Sequence, residues 1–222
     1  MNTRTLRNTT GFTLIELMVV VGIFAFMSAL ILANYPRFNA QIILENTAHE
    51  VALEVRQAQS FGLGVRETSR GSEEYPAYGV YIPEIDGDSE NKTKVYLYAD
   101  INNDQMYEGG TCVPGTGECI EVLTLRNHFV AALCGDMKTD HSSVDVFRTM
   151  DDVIHFNTTY PLYCDKDSID ILFTRPNPDA LPRSFIDAGS ETVHNDIAIV
   201  VSTPKGNVRT VVVWSTGQIT VE

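Results

Sequence analysis

The chain has 222 residues, a formal net charge of −13, 44% hydrophobic residues and four cysteines. That length accommodates one long helix and one globular domain. The acidic balance argues against a general affinity for nucleic-acid phosphates.

The first ten residues, Met1 to Thr10, are polar and carry Arg4 and Arg7. From Phe12 to Ala33 there follow 22 residues in which Glu16 is the only charged side chain. A helix of that length crosses a bilayer core of roughly 30 Å. A lone carboxylate inside such a span costs several kcal/mol unless it is paired (roughly 3 on insertion scales). Cleavage of the Gly11–Phe12 bond would supply the partner: Phe12 would gain a cationic α-amino group four residues from Glu16. A secretory signal is cut after its apolar segment, whereas here the cut would precede it, so the helix stays in the product. Loss of Arg4 and Arg7 would take the side-chain charge from −13 to −15. The basic leader favours a cytoplasmic N-terminus and an exported C-terminal part.

Gly11-Phe12-Thr13-Leu14-Ile15-Glu16, opening an apolar helix after a short basic leader, resembles the class III signal of type IV prepilins and of the pseudopilins of type II secretion. The resemblance implies a dedicated membrane peptidase that cuts after Gly11 and methylates Phe12. It also implies an assembly role for Glu16, whose carboxylate would meet the Phe12 amine of a neighbouring subunit. Further along, Glu54-Val55-Arg56-Gln57-Ala58-Gln59-Ser60 and the closing Ser215-Thr216-Gly217-Gln218-Ile219-Thr220-Val221 are similar to the GspH/FimT branch of pseudopilins and minor pilins.

Pro36 falls next, and a proline is expected to interrupt, kink or locally open a helix. Beyond it, Leu44, Ala48, Val51, Val55 and Ala58 recur at spacings of four and three, while Glu45, Glu50, Glu54 and Arg56 lie off that line. This is an amphipathic helix with one apolar stripe. Phe61-Gly62-Leu63-Gly64 supplies its stop. A helix from Phe12 to Phe61 would be about 75 Å long at 1.5 Å per residue. The polar residues 65–74 read as a loop.

After the loop the period changes to two. Strands are expected at Tyr78–Ile82, Lys94–Ala99, Ile120–Leu125, Val153–Phe156, Ile169–Phe173, Asp196–Ser202, Arg209–Trp214 and Gln218–Val221. Asp86-Gly87-Asp88, Pro204-Lys205-Gly206-Asn207 and Ser215-Thr216-Gly217 carry turn chemistry. Arg175 to Pro182, with three prolines, reads as a surface connection and not a strand. The expected fold class is α+β: a long N-terminal helix, its second half packed against a mostly antiparallel β head, as in the pilin fold. The expected organisation is leader 1–11, transmembrane or filament-core helix 12–35, amphipathic helix 36–64 and β-rich head 65–222 with a cysteine-containing insertion.

Asp100, Asn102, Asp104, Met106 and Glu108 occupy the first, third, fifth, seventh and ninth places of an EF-hand-like loop, with Met106 offering its carbonyl. Gln105 stands where that loop has glycine, and Thr111 where it has a bidentate Glu. The spacing fits either a structural calcium or an Asx-rich turn on an acidic surface. No other cofactor is called for.

Cys112, Cys119, Cys134 and Cys164 read as two disulfides in an oxidising compartment. Pairing Cys112 with Cys119, across a turn-rich loop, leaves Cys134 with Cys164, although four cysteines allow three pairings. His49, His128, His141, His155 and His194 fit no zinc or metalloprotease spacing. Asp140-His141-Ser142-Ser143 has the residue types of a catalytic triad but reads as a solvated loop. Asn157-Thr158-Thr159 matches a glycosylation sequon, and Trp214 reads as a core residue.

The function expected from the resemblance is structural, not enzymatic: a minor pilin or pseudopilin of a type IV pilus-like or type II secretion filament. Its partners would be other pilin subunits, the prepilin peptidase, and an inner-membrane assembly platform with its ATPase. It would sit in the inner membrane with its head exported, then pass into a filament. The alternatives are a signal-anchored exported adhesin or a DNA-uptake minor pilin.

Overall fold

The computed structural model describes residues 11–64, 75–85, 90–109, 112, 117–140, 147–177, 179–186 and 190–222. The leader up to Thr10, the 65–74 loop and the Asp86-Gly87-Asp88 turn lie outside the described residues, as do Thr111 and the His141 loop. By contacts the chain divides into two units, residues 1–42 and 43–222. The protein is α+β, a long N-terminal helix followed by antiparallel sheets.

Helix α1 runs from Leu14 to Leu63. It is assigned without a break through residue 36, so the proline does not end it. A proline forfeits its own N–H bond, while the turns on either side keep theirs. In the first unit the large apolar side chains that are described, from Phe12 to Phe38, are exposed all round.

In the second unit the stripe read from the sequence is the buried one. Leu44, Ala48, Val51, Val55 and Ala58, with Ala52 beside them, are buried, whereas Glu45, Glu50 and Leu53 face solvent. Each large apolar side chain so buried contributes about 1.5–3 kcal/mol. Gln59 Nε2 donates to the Gly217 carbonyl at 3.0 Å, fixing the helix against the closing hairpin. At the helix end, a Cβ on Gly62 would meet the Phe173 carbonyl oxygen at 2.6 Å. Gly62 is therefore needed for close packing rather than for termination, and α1 continues one residue past it.

Two antiparallel sheets complete the unit. The first is six-stranded, in the order β3-β2-β1-β5-β6-β7. Its strands are β1 (Ala77–Ile82), β2 (Lys94–Asp100), β3 (Cys119–Thr124), β5 (Ser168–Phe173), β6 (Ala180–Ile186) and β7 (Ser190–Val193). The second is four-stranded, in the order β10-β9-β8-β4, from β4 (Phe129–Gly135), β8 (Asp196–Ser202), β9 (Val208–Trp214) and β10 (Ile219–Val221). The main core joins the α1 stripe to Val80, Ile82, Val95, Leu97, Ile169, Ile171 and Phe173 of the first sheet. It also takes in Val130, Leu133, Ile197, Ile199, Val211 and Val213 of the second.

A second, smaller core lies on the other face of the four-stranded sheet. Ala132, Cys134, Ala198, Val200, Val208 and Val212 pack there with Val153 and Phe156. Those last two belong to helix α3 (Met150–Thr159), which corrects the expected strand at Val153–Phe156. The cause is local. Thr149 accepts the Asp152 N–H, and the Asp152 carboxylate accepts the Thr149 N–H at 2.8 Å, which makes a capping box. Val153 and Phe156, three residues apart, then share the buried face, while Ile154 and His155 are exposed.

The proline-rich connection needs a correction as well. Its end, Ala180 to Pro182, begins β6, with Pro182 opposite Ile171 in the ladder. An N–H and a C=O of one residue point to the same side of a strand. The Pro182 carbonyl accepts from His194, just past the end of β7, so its missing N–H also faces that side and costs β5 no bond. Both expected hairpin turns close as read, with Gly206 at φ 81° and Gly217 at φ 80°. Trp214 is half-buried against the smaller core.

Candidate functional site

The first candidate is the N-terminal segment. Thr13 stands just before the first residue of α1, and its Oγ1 accepts the Glu16 N–H at 3.3 Å. Thr13-x-x-Glu16 is thus a helix-start signature lying inside the run that resembles a processing signal. A carboxylate in the first turn also suits the positive end of the helix dipole. Glu16 and the side chains around it are exposed, and α1 is the helix among the described residues that is long and apolar enough to cross a membrane.

The chain carries a prokaryotic N-terminal methylation motif, matched over residues 6–32. That is a type IV prepilin-like signal. No curated protein and no solved structure matches the chain. The matched span contains Gly11, Phe12 and Glu16 and ends within the exposed apolar part of α1.

The second candidate is the loop after β2. Asp100 is 2% exposed. One of its oxygens, Oδ2, accepts the Gln105 N–H at 3.1 Å, and the other, Oδ1, is buried with no donor. Asp100, Asp104 and Glu118 each place a carboxylate oxygen within 4.8 Å of the other two. Glu118 Oε1 is likewise buried without a donor. Burial, and then the neighbouring carboxylates, push both Asp100 and Glu118 above the usual carboxylate range, although backbone N–H groups pull the other way.

The other sequence candidates sit around this group. The Asn102 amide donates to Asp104 at 2.9 Å and to Glu108 at 3.0 Å, so it links two acidic side chains. Met106 donates its N–H to Asp104 Oδ1 at 2.8 Å. The Glu108 N–H reaches Glu118 Oε2 at 3.3 Å. Gln105, at the glycine place, adopts φ 66°, the left-handed turn that this place requires. Glu118 lies too far along the chain for any single-loop template to have found it. The Cys112–Cys119 disulfide brings it back, since Cys119 is its neighbour.

The outer face of the six-stranded sheet holds a buried polar network that the sequence did not announce. Asp170, fully buried, accepts from the Tyr98 hydroxyl at 2.7 and 2.9 Å and from Arg183 at 3.1 Å. Burial pushes the Asp170 carboxyl up to about 7 against the pull of Arg183 and Tyr98. The same burial and the adjacent carboxylate push the Tyr98 hydroxyl up. Tyr107, from the acidic loop, lies against the Tyr81, Tyr96 and Tyr98 rings at centroid separations of 5.2, 5.6 and 5.3 Å.

Ser184, His194 and Asp136 form a chain of hydrogen bonds: Ser184 Oγ to His194 Nε2 at 2.7 Å, and His194 Nδ1 to Asp136 Oδ2 at 2.7 Å. Residue types and connectivity match a nucleophilic triad. Ser184, however, has no exposed surface, so no substrate reaches its oxygen. The chain instead ties β6 to the turn after β4. Burial opposes charge on Asp136, but the His194 and Asn195 bonds outweigh it and hold the carboxyl low. These residues are far apart in sequence, and no spacing links them.

The remaining candidates are structural. The second disulfide joins Cys134, at the end of β4, to Cys164. His49 and His155 are exposed, and buried His128 lies 2.8 Å from the Arg126 carbonyl. Asn157 to Thr159 lie on α3, where both threonine hydroxyls bond the carbonyls four residues back.

Proposed function

We propose that this chain is a structural subunit, a minor pilin or pseudopilin, of a type IV pilus-like or type II secretion filament. The observation that carries the reading is the methylation motif over residues 6–32, set on the first part of α1, where the large apolar side chains are exposed all round. Such a surface is unfavourable in water and calls for lipid or other apolar helices. In this reading the leader and helix hold the precursor in the membrane with the C-terminal unit exported. Cleavage after Gly11 frees Phe12 and creates the cation that Glu16 needs. The subunit then leaves the bilayer for a stack of equivalent helices, drawn by the assembly platform and its ATPase. The chemistry is packing and charge pairing, with no bond made or broken by the subunit itself.

The minor-subunit reading rests on the large, loop-rich C-terminal unit, which would be costly to repeat at every filament step, and on the GspH/FimT-like closing segment. The test is mass spectrometry of the membrane-extracted protein from cells with and without the prepilin peptidase. The expected product begins at N-methylated Phe12 and reverts to the full precursor without the peptidase. Retention of Met1 in both strains, or cleavage beyond Ala33, would instead indicate a signal-anchored exported protein.

A further inference from the structure

We propose that Asp100, Asp104 and Glu118 form a calcium-binding site, which pins the loop between β2 and β3 to the edge of the six-stranded sheet. This goes beyond the filament role and does not depend on it.

Three observations converge. The carboxylate oxygens lie within 4.8 Å of one another, a spacing that one calcium spans with bonds of about 2.3–2.6 Å. Asp100 is almost wholly buried, and its Oδ1 has no donor; Glu118 Oε1 is buried and without a donor as well. Buried carboxylate oxygens without a partner are strongly disfavoured, and a bound cation is a ligand that satisfies such an oxygen. Finally, the charged groups that bear most on Asp100 and Glu118 are themselves carboxylates, Asp104 on both, and Asp100 and Glu108 on Glu118. Among the described residues, no ion pair to a basic side chain is formed by Asp100, Asp104 or Glu118.

The donors are all hard oxygens, which favours calcium over zinc or copper. Three carboxylates on a loop and a strand edge give a set of variable bite, whereas magnesium demands near-ideal octahedral geometry. Glu108 stands next to the group, linked through Asn102 and through its own N–H to Glu118. The Cys112–Cys119 disulfide holds Glu118 in place from the other side. Tyr107 lies on the same loop and packs against Tyr81, Tyr96 and Tyr98, so its ring reports any shift of that loop.

The experiment uses the full chain in detergent, stripped with a chelator and titrated with calcium chloride by calorimetry. Near-UV circular dichroism of the tyrosines and thermal melting are followed in parallel. The expected result is one site per chain and a change in the tyrosine signal. For a site of roughly 0.1–1 mM affinity, 10 mM calcium should raise the melting temperature by about 3–10 °C. Magnesium at the same concentration should give less than half that shift. Asp100→Asn and Glu118→Gln should each weaken calcium at least tenfold, while exposed Asp151→Asn on α3 leaves it unchanged. Metal-free Asp100→Asn should melt no lower than metal-free wild type, because it relieves repulsion; that separates loss of a ligand from loss of the fold. If Glu118→Gln does not fold, exposed Asp104→Asn takes its place. A wild-type protein that neither binds calcium nor shifts on melting overturns the site, as does tight binding retained in Asp100→Asn.

Discussion

The two ends of α1 use the same apolar residue types for opposite purposes. In the first unit, Leu, Val, Ile and Phe cover every side of the helix, and none of those side chains is buried by the chain itself. In the second unit they are confined to one stripe, and that stripe is fully covered by two sheets. The presence of apolar residues does not by itself distinguish a helix awaiting a partner from one that has found it. The angular distribution of the side chains does, because a polar back face is compatible only with water behind it. The N-terminal segment is therefore incomplete by design, and the C-terminal unit is complete within the chain.

The sharpest way to break this comparison is at Glu16. If its carboxylate exists to meet a Phe12 amine during assembly, Glu16→Ala leaves that amine unpaired in an apolar surrounding, a defect of about 3–5 kcal/mol. Incorporation into filaments should fall at least tenfold, measured by immunoblotting sheared filaments against the membrane pool. Melting of the C-terminal unit should not change. Normal incorporation of the variant would remove the pairing.

A pair of identical substitutions tests the contrast next. Phe173, the last residue of β5, is fully buried in the main core with the α1 stripe, and Phe24 is 69% exposed on the N-terminal segment. Phe173→Ala should cost about 3–5 kcal/mol, a drop of roughly 6–20 °C in melting temperature. Phe24→Ala should move melting of the C-terminal unit by less than about 1 °C while weakening filament yield. Equal melting shifts would mean that the N-terminal segment takes part in the folded core.

Much of this division was legible from residues alone. The α1 stripe, most of the strands and both late hairpins follow from period and turn chemistry. What escaped was decided by tertiary context or by a weak local signal. β4 is rich in alanine, and β7 is a wholly exposed edge of Ser190-Glu191-Thr192-Val193, so neither alternates in a way that marks a strand. β6 was hidden by Pro182, whose missing donor is harmless only because of the side it faces. The α3 helix is hard to see because Val153-Ile154-His155-Phe156 is short enough to look β-like, although Thr149 and Asp152 spell a capping box. Of the acidic site, the sequence offered Asp100 and Asp104 but had no means of bringing in Glu118, which arrives through sheet pairing and a disulfide. The buried Asp170 network and the Ser184 chain join residues that only the sheet register places together.

The smallest effect lies at the half-buried margin of the α1 stripe. Glu54 is half-buried, and its Oε2 has no donor. Burial, with a further contribution from Glu121, raises its carboxyl to about 7. The sign follows from linkage. A carboxyl that holds its proton more tightly in the folded state favours folding at low pH, and that contribution is lost as pH rises from about 4.5 through about 7. Glu54→Gln removes the charge at nearly constant volume. Because the group is partly solvated, the gain is screened to below about 1 kcal/mol. The variant should therefore melt slightly higher than wild type at pH 8, by about 1–3 °C, and the two curves should converge near pH 4.5. A constant offset across that range would show that the packing of the amide, and not the charge of the acid, sets the difference. An offset that vanished on lowering the pH would place a poorly solvated charge on the same helix whose stripe is otherwise fully matched to its sheets.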